Sequence, residues 1–291
     1  MRIVITGGAG FLGRKLAAAL LARGTLTDAR GTARTIERIT LADVAAAPTD
    51  DPRVHVVAGD LADPALVDAT RSLLERCRTL AAPPKFVFTS SCAVFGGPLP
   101  DPVRDDQALW PQSSYGNQKA ICEFLVFDHT RKGFVDGRSL RLPTISVRPG
   151  KPNKAASSFA SGILREPLNG VEAICPVNRD TRMWLLSPRA VIGNLIAGHE
   201  APAAAFAHTR SVNVPGISIP VEGMIDALRR VAGDAVADRV VWRHDPVIDR
   251  IVRTWPVNFD AAFGRSLGMA GDADFDSIIR QYIDDELRPH A

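Results

Sequence analysis

Cysteine is scarce in this chain and never paired by spacing. Cys77, Cys92, Cys122 and Cys175 are the four among 291 residues, with no Cys-x-x-Cys pair and no secretory context. That excludes a disulfide framework and leaves reduced core thiols in a cytoplasmic protein. The six histidines have no metal-ligand spacing, so no metal site is expected. No apolar run approaches the roughly 20 residues of a membrane span. The amino terminus leads directly into an apolar strand and a glycine loop, so neither a leader nor a membrane role is expected. Charge is close to balanced, at a net +3. Lysine and arginine are scattered without a basic block or an interleaved aromatic stripe, which leaves little reason to expect a nucleic acid or an anionic membrane as partner. Internal repeats and low-complexity linkers are also lacking.

What is present is ordinary globular composition, 46% hydrophobic and 23% charged, with a glycine run in an informative place. Residues 2–6, with Ile3, Val4 and Ile5, read as a buried strand, and 11–22 as a helix of good formers. Between them stands Thr6-Gly7-Gly8-Ala9-Gly10-Phe11-Leu12-Gly13. Strand, glycine turn and helix together let backbone N–H groups and a helix N-terminus hold a pyrophosphate. Gly7 makes the tight turn, Gly10 lets backbone approach the phosphates, and Gly13 lets the helix lie close on the strand. The bland alternative is a flexible turn. A second strand at 38–42 ends at Asp43, whose carboxylate suits the hydroxyls of an adenosine ribose and repels a 2′-phosphate, favouring NAD over NADP. The competing reading is a solvated loop aspartate. A third strand, 54–58, closes with Gly59, Asp60 and Leu61, the last two flanking an adenine.

Further on, Tyr115-Gly-Asn-Gln-Lys119 lies in a helix with Ser113 or Ser114 as N-cap and Gly133 as stop. Residues i and i+4 share a helix face, so Lys119 can hold its ammonium beside the Tyr115 hydroxyl. A nearby cation favours phenolate over a phenol of pKa about 10, making tyrosine a usable base. The strand before this helix, 85–90, runs into Ser91 and delivers hydroxyls to a carboxyl end, where ligands sit in parallel sheets.

These motifs, with Gly59-Asp60 and Phe88-Thr89-Ser90-Ser91-Cys92-Ala93-Val94-Phe95-Gly96, resemble the extended short-chain dehydrogenase/reductase family, which also contains nucleotide-sugar epimerases and dehydratases. The runs at 141–153, 156–161, 165–168 and 181–189 are similar to its D-erythronate dehydrogenase branch, which oxidises a four-carbon sugar acid with NAD. The resemblance implies an α/β fold: a Rossmann-like, doubly wound parallel sheet with a smaller carboxyl-terminal substrate lobe. It implies Tyr115 as base, Lys119 as the group that lowers its pKa and holds the nicotinamide ribose, and Ser91 as hydrogen-bond partner of the reacting hydroxyl, with Ser90 the competing assignment. Phe11, Leu12 and Pro143 fall on the cofactor and Thr144 beside it, at the substrate. A homodimer is also implied.

The chain departs from the family in one place. With a strand order 3-2-1-4-5-6, the Ser91 strand should be the fifth, yet only one helical stretch, 64–80, lies between Asp60 and Lys85. The deficit is one central βα unit, on the order of 30 residues, with its junction at Ala69-Thr70-Arg71-Ser72. Either the polypeptide carries a deletion or residues of the natural chain are absent from this sequence. Losing a central strand strands the hydrogen-bonding edges of its neighbours.

Beyond about Ser146, prolines punctuate short segments, as expected of a substrate lobe at 146–291 following a cofactor domain at 1–145, with 187–215 packing back on the latter. Helices are expected at 187–199 and 221–231, short strands at 212–214 and 240–242, and an amphipathic helix at 274–287. Arg148, Lys151, Arg165 and Arg182 are candidate clamps for a carboxylate, against the alternative of surface charge or pairs with Glu166, Glu172 or Asp180. Trp184 reads as core. The expected reaction is oxidation of a sugar-acid hydroxyl by NAD in carbohydrate catabolism. The alternatives are a nucleotide-sugar epimerase or dehydratase and a catalytically silent NAD-binding protein.

Overall fold

A computed structural model describes residues 1–45, 48–59, 66–150, 155–206 and 209–288. The strands are β1 (Arg2–Thr6), β2 (Thr25–Thr27), β3 (Ala33–Thr35), β4 (Arg38–Asp43), β5 (Val54–Ala58), β6 (Lys85–Ser91), β7 (Asp136–Leu142), β8 (Thr144–Ile145), β9 (Ala173–Cys175), β10 (Arg182–Leu186), β11 (Ser211–Asn213), β12 (Ile217–Pro220) and β13 (Val240–Trp242). The helices are α1 (Phe11–Arg23), α2 (Leu66–Arg78), α3 (Ser114–Arg131), α4 (Phe159–Leu168), α5 (Pro188–Glu200), α6 (Val221–Ala232), α7 (Asp234–Ala237), α8 (Pro246–Val252), α9 (Ala262–Ser266) and α10 (Phe275–Tyr282). The chain divides into two compact units, one of Met1–Ser90, Gln118–Leu140 and Leu195–Ser211, the other of Ser91–Asn117, Arg141–Asn194 and Val212–Ala291.

In the first unit β4 lies between β1 and β5 in a parallel sheet, with Ile39 opposite both Ile3 and Val54. The apolar run of each strand packs with α1, burying Ile5, Ala17, Leu20, Ile39 and Leu41. The β2–β3 hairpin had no strong pattern to announce it. It is held by Asp28, whose Oδ1 accepts from the Arg30 and Thr32 N–H groups. Hydrogen bonds from Arg34 and Thr32 hold its carboxyl down at about 2.

The expected vacancy in the sheet is present. Among the described residues, β1 is the edge of the three-stranded sheet β1-β4-β5, and β6 is the edge of a separate sheet ordered β11-β7-β6. In the order 3-2-1-4-5-6 these two edges would flank the fourth strand. Val4, on what would be a central strand, is 64% exposed. The cause is α2, which runs unbroken through Thr70 and Arg71. Thr70 is buried, its hydroxyl donating to the Leu66 carbonyl at 2.8 Å. Leu74 is fully buried with Phe88, Cys122 and Val126. The helix thus covers β6 and α3, and among the described residues no strand lies between β5 and β6.

The second unit has its core on α4, α6 and α10, where Ile163, Leu164, Met224, Leu228, Ile278 and Ile279 pack together. Strand β10 pairs antiparallel with β12 and parallel with β8, and β9 pairs parallel with β13. Residues 91–117 belong to this unit. Past Ser91 the chain leaves its sheet: Val103 N–H donates to the Asn258 carbonyl at 2.9 Å, and the Phe95 ring lies 5.6 Å from that of Phe259. The expected closing helix is α10 followed by a wider π turn at Ile283–Leu287. Asp274 caps it by accepting from the Ser277 N–H.

Candidate active site

Three glycines shape the amino-terminal loop. Gly7 has φ +67°, a conformation side-chain-bearing residues rarely adopt. At Gly13 a Cβ would come within 2.4 Å of the Gly7 carbonyl oxygen, which is why α1 can lie so close to the loop. Gly8, not singled out in the sequence, is equally constrained, since a Cβ there would meet Leu41 Cα at 2.7 Å. Helix α1 starts at Phe11 and Leu12 with Gly10 as N-cap and no side-chain capping bond. Its first-turn amides therefore suit an anion, and the dipole adds to them. A dinucleotide phosphate fits this cradle. Asp43, at the end of β4, accepts the Ala9 N–H through Oδ2 at 3.0 Å. It is thus fixed at the glycine loop rather than solvated at large, where its other oxygen suits a ribose. Asp60 and Leu61 lie outside the described residues.

In the second unit, Ser91 ends β6 and caps a 3₁₀ turn at Cys92–Val94, its hydroxyl accepting the Ala93 N–H at 3.1 Å. The Ser91 side chain also acts on Tyr115, favouring its phenolate. Tyr115 occupies the first turn of α3, capped by Ser113, whose hydroxyl accepts the Gly116 N–H at 3.1 Å. Burial raises the Tyr115 pKa, while Ser91 and the Arg148 guanidinium lower it. The net shift is upward, against the depressed phenol expected from the sequence; desolvation around the hydroxyl is the reason, although the residue as a whole is 52% exposed. Gly116 is a site residue the sequence reading missed. A Cβ there would approach the Ala93 carbonyl oxygen to 2.1 Å, so α3 rests directly on the turn that holds Ser91.

Adjacent strand residues face opposite ways, and that separates the two serines. Ser90 points into the first unit, donating to Glu123 Oε1 at 2.5 Å with both residues buried. Lys119, one turn beyond Tyr115 on α3, is also buried. Its Nζ donates to the Thr89 carbonyl at 2.6 Å and lies 4.8 Å from the centre of the Phe88 ring. Burial lowers its pKa, opposed by Cys122 and Glu123.

The four candidate clamps diverge. Arg148 is partly buried and acts electrostatically on Tyr115. Arg165 is structural, pairing with Glu166 at 2.6 Å and donating to the Arg148 carbonyl at 2.9 Å. Arg182 is exposed and donates to Ser218 Oγ at 2.8 Å. Lys151 lies outside the described residues. Pro143 is buried, and Thr144 in β8 pairs opposite Leu185. Trp184 is core, its ring 5.4 Å from that of Phe259. Among the described residues no His, Cys, Asp and Glu cluster suits a metal, and no helix is long and apolar enough to cross a membrane.

The profile of the NAD dependent epimerase/dehydratase family matches residues 3–71 and 66–185. The two matched stretches overlap inside α2, where the missing unit belongs. A D-erythronate dehydrogenase of Cupriavidus necator is 52% identical over 320 residues, covering 98% of each chain. A D-erythronate dehydrogenase of Haemophilus influenzae is 39% identical over 323 residues, covering 99% of this chain and 100% of the relative. Both aligned spans exceed the 291 residues present here. Among solved structures, a protein described as the nucleoside-diphosphate-sugar epimerase of Agrobacterium tumefaciens superposes with a TM-score of 0.91 at 38% identity, covering 99% of this chain and 94% of that one. L-threonine 3-dehydrogenase of Trypanosoma brucei shares the fold, with a TM-score of 0.82 at 21% identity over 100% of this chain and 99% of its own.

Proposed function

This chain belongs to the NAD dependent epimerase/dehydratase family, and from that premise we propose that it oxidises D-erythronate to 2-keto-D-erythronate in four-carbon sugar-acid catabolism. The observation that carries the reading is the seating of the Tyr115 turn on the Ser91 turn, where a Gly116 Cβ would stand 2.1 Å from the Ala93 carbonyl oxygen, in a chain 52% identical to a D-erythronate dehydrogenase. Tyr115 as phenolate takes the proton of the substrate hydroxyl, which Ser91 orients. The carbinol carbon loses hydride as its C–O bond becomes a carbonyl. NAD, when bound, supplies the hydride acceptor. Gly7, Gly10, Phe11, Leu12, Gly13 and Asp43 hold it, and Lys119 and Pro143 serve its nicotinamide end. Arg148, beside Tyr115, receives the substrate carboxylate. The free cysteines suit the cytoplasm.

A homodimer forms through α3 in this reading. Ile121, Phe124 and Phe127 stand exposed along that helix at three-residue spacing, and Phe124→Glu should give a monomer in sedimentation.

The open sheet favours a second reading, a chain that binds NAD without turning it over. NADH formation with a panel of sugar acids, run beside a panel of UDP-sugars, separates the readings. Turnover of D-erythronate supports oxidation, conversion of a UDP-sugar points to an epimerase or dehydratase, and silence on both leaves the inactive protein.

A further inference from the structure

We propose that Glu123 is a positioning residue that fixes the end of β6 on α3 and supplies the negative charge that keeps the buried Lys119 protonated. This deepens the reading of Tyr115 and Lys119 as the reacting pair and rests on it.

Two clamps join α3 to the last residues of β6. Lys119 donates to the Thr89 carbonyl, and Glu123, one turn later on the same face, accepts from the Ser90 hydroxyl at 2.5 Å. Ser90 and Glu123 are each 3% exposed. A short bond from a hydroxyl to a carboxylate in such surroundings is strong and directional. Since Ser91 follows Ser90 in the chain, the clamp sets the strand position from which Ser91 departs.

The second part concerns charge. Burying an ammonium is costly unless an opposite charge and hydrogen bonds compensate it. Among the described residues, groups facing Lys119 include the Phe88 ring and the Thr89 carbonyl from β6, and Cys122 and Glu123 from α3; Thr70 of α2 meets Cys122 Sγ at 3.4 Å. Burial pushes the Cys122 thiol up, keeping it neutral. Glu123 is the carboxyl group among them, one turn from Lys119 on the same helix face. In the proposed function Lys119 serves Tyr115 as an ammonium, and Glu123 acts on the chemistry through that neighbour.

Glu123→Gln removes the charge and keeps an acceptor for Ser90, whereas Glu123→Asp keeps the charge and shortens the reach. The first measurement is an NMR titration of the Lys119 side chain, assigned by Lys119→Arg, in the wild type and both variants. Glu123→Gln should lower the Lys119 pKa by about one unit, a tenfold change in proton affinity, and Glu123→Asp should leave it near the wild-type value. In the pH profile of D-erythronate oxidation, the alkaline limb should move down in Glu123→Gln by the same amount. An unmoved Lys119 titration in Glu123→Gln overturns the proposal whether or not the enzyme turns over. Should Glu123→Gln not fold, a Glu123→Asp protein whose Lys119 titrates as low as expected for the uncharged variant overturns it equally. A shifted titration with no dehydrogenase activity in the wild type would instead remove the proposed function and leave the electrostatic role standing.

Discussion

Gly116 and Ala93 touch backbone to backbone: a Cβ on Gly116 would stand 2.1 Å from the Ala93 carbonyl oxygen. The contact seats the first turn of α3, with Tyr115, on the turn that begins at Ser91. Gly116→Ala should therefore push α3 away and carry Tyr115 off Ser91. A misplacement of about 1 Å costs on the order of a hundredfold in rate, so kcat should fall by that order while the melting temperature drops by only a few degrees. Steady-state kinetics beside a thermal melt tests this, and a rate near wild type would show that the contact does not set the geometry.

Arg148 lowers the pKa of Tyr115 while burial raises it. Removing that cation destabilises the phenolate, so in Arg148→Met the acid limb of the kcat/KM profile should move to higher pH. If Arg148 also meets the substrate carboxylate, KM for D-erythronate should rise roughly tenfold, the scale of one charged hydrogen bond. A raised KM with an unmoved limb would separate the two roles.

Asp43 joins loop geometry to cofactor choice through its bond to the Ala9 N–H. Asp43→Ala should weaken NAD binding roughly tenfold to a hundredfold, the worth of a charged hydrogen bond. NADP should lose less, because a repelling charge also disappears. Isothermal titration with both cofactors gives the ratio, and an unchanged ratio would make Asp43 a loop anchor only.

The open edges of β1 and β6 predict a weakened protein. Intact mass should equal 31.3 kDa if the deletion is real, and exceed it by about 3 kDa if a βα unit of roughly 30 residues belongs to the natural chain. With the mass at the lower value, grafting the corresponding segment of the Cupriavidus necator relative between Ala69 and Ser72 should raise the melting temperature and tighten NAD binding, and reduce aggregation through unpaired edges. A graft that changes none of these would mean that the two half-sheets are self-sufficient.

Much of this protein was decided locally. The apolar strand, the glycines and the helix formers of 2–23 leave little choice of structure, because each residue's own backbone preference agrees with its neighbours'. The i, i+4 spacing put Tyr115 and Lys119 on one helix turn, and the shortage of chain between Asp60 and Lys85 already required a sheet broken beside β1. Other features needed tertiary contacts. The alternation of β6 sends one of two identical neighbours, Ser90, to Glu123 and the other, Ser91, to Tyr115, and chain order alone left both assignments open. The upward shift at Tyr115 comes from desolvation of its hydroxyl, in a residue that is 52% exposed as a whole, and depends on what the fold brings to that one atom. Arg165 and Arg182 looked equivalent in sequence, and only their partners, Glu166 and Ser218, distinguished them from Arg148. Gly116 carried no signal at all, because its constraint is a carbonyl oxygen 23 residues away in the chain, and close approach exists only once the fold has brought the two together.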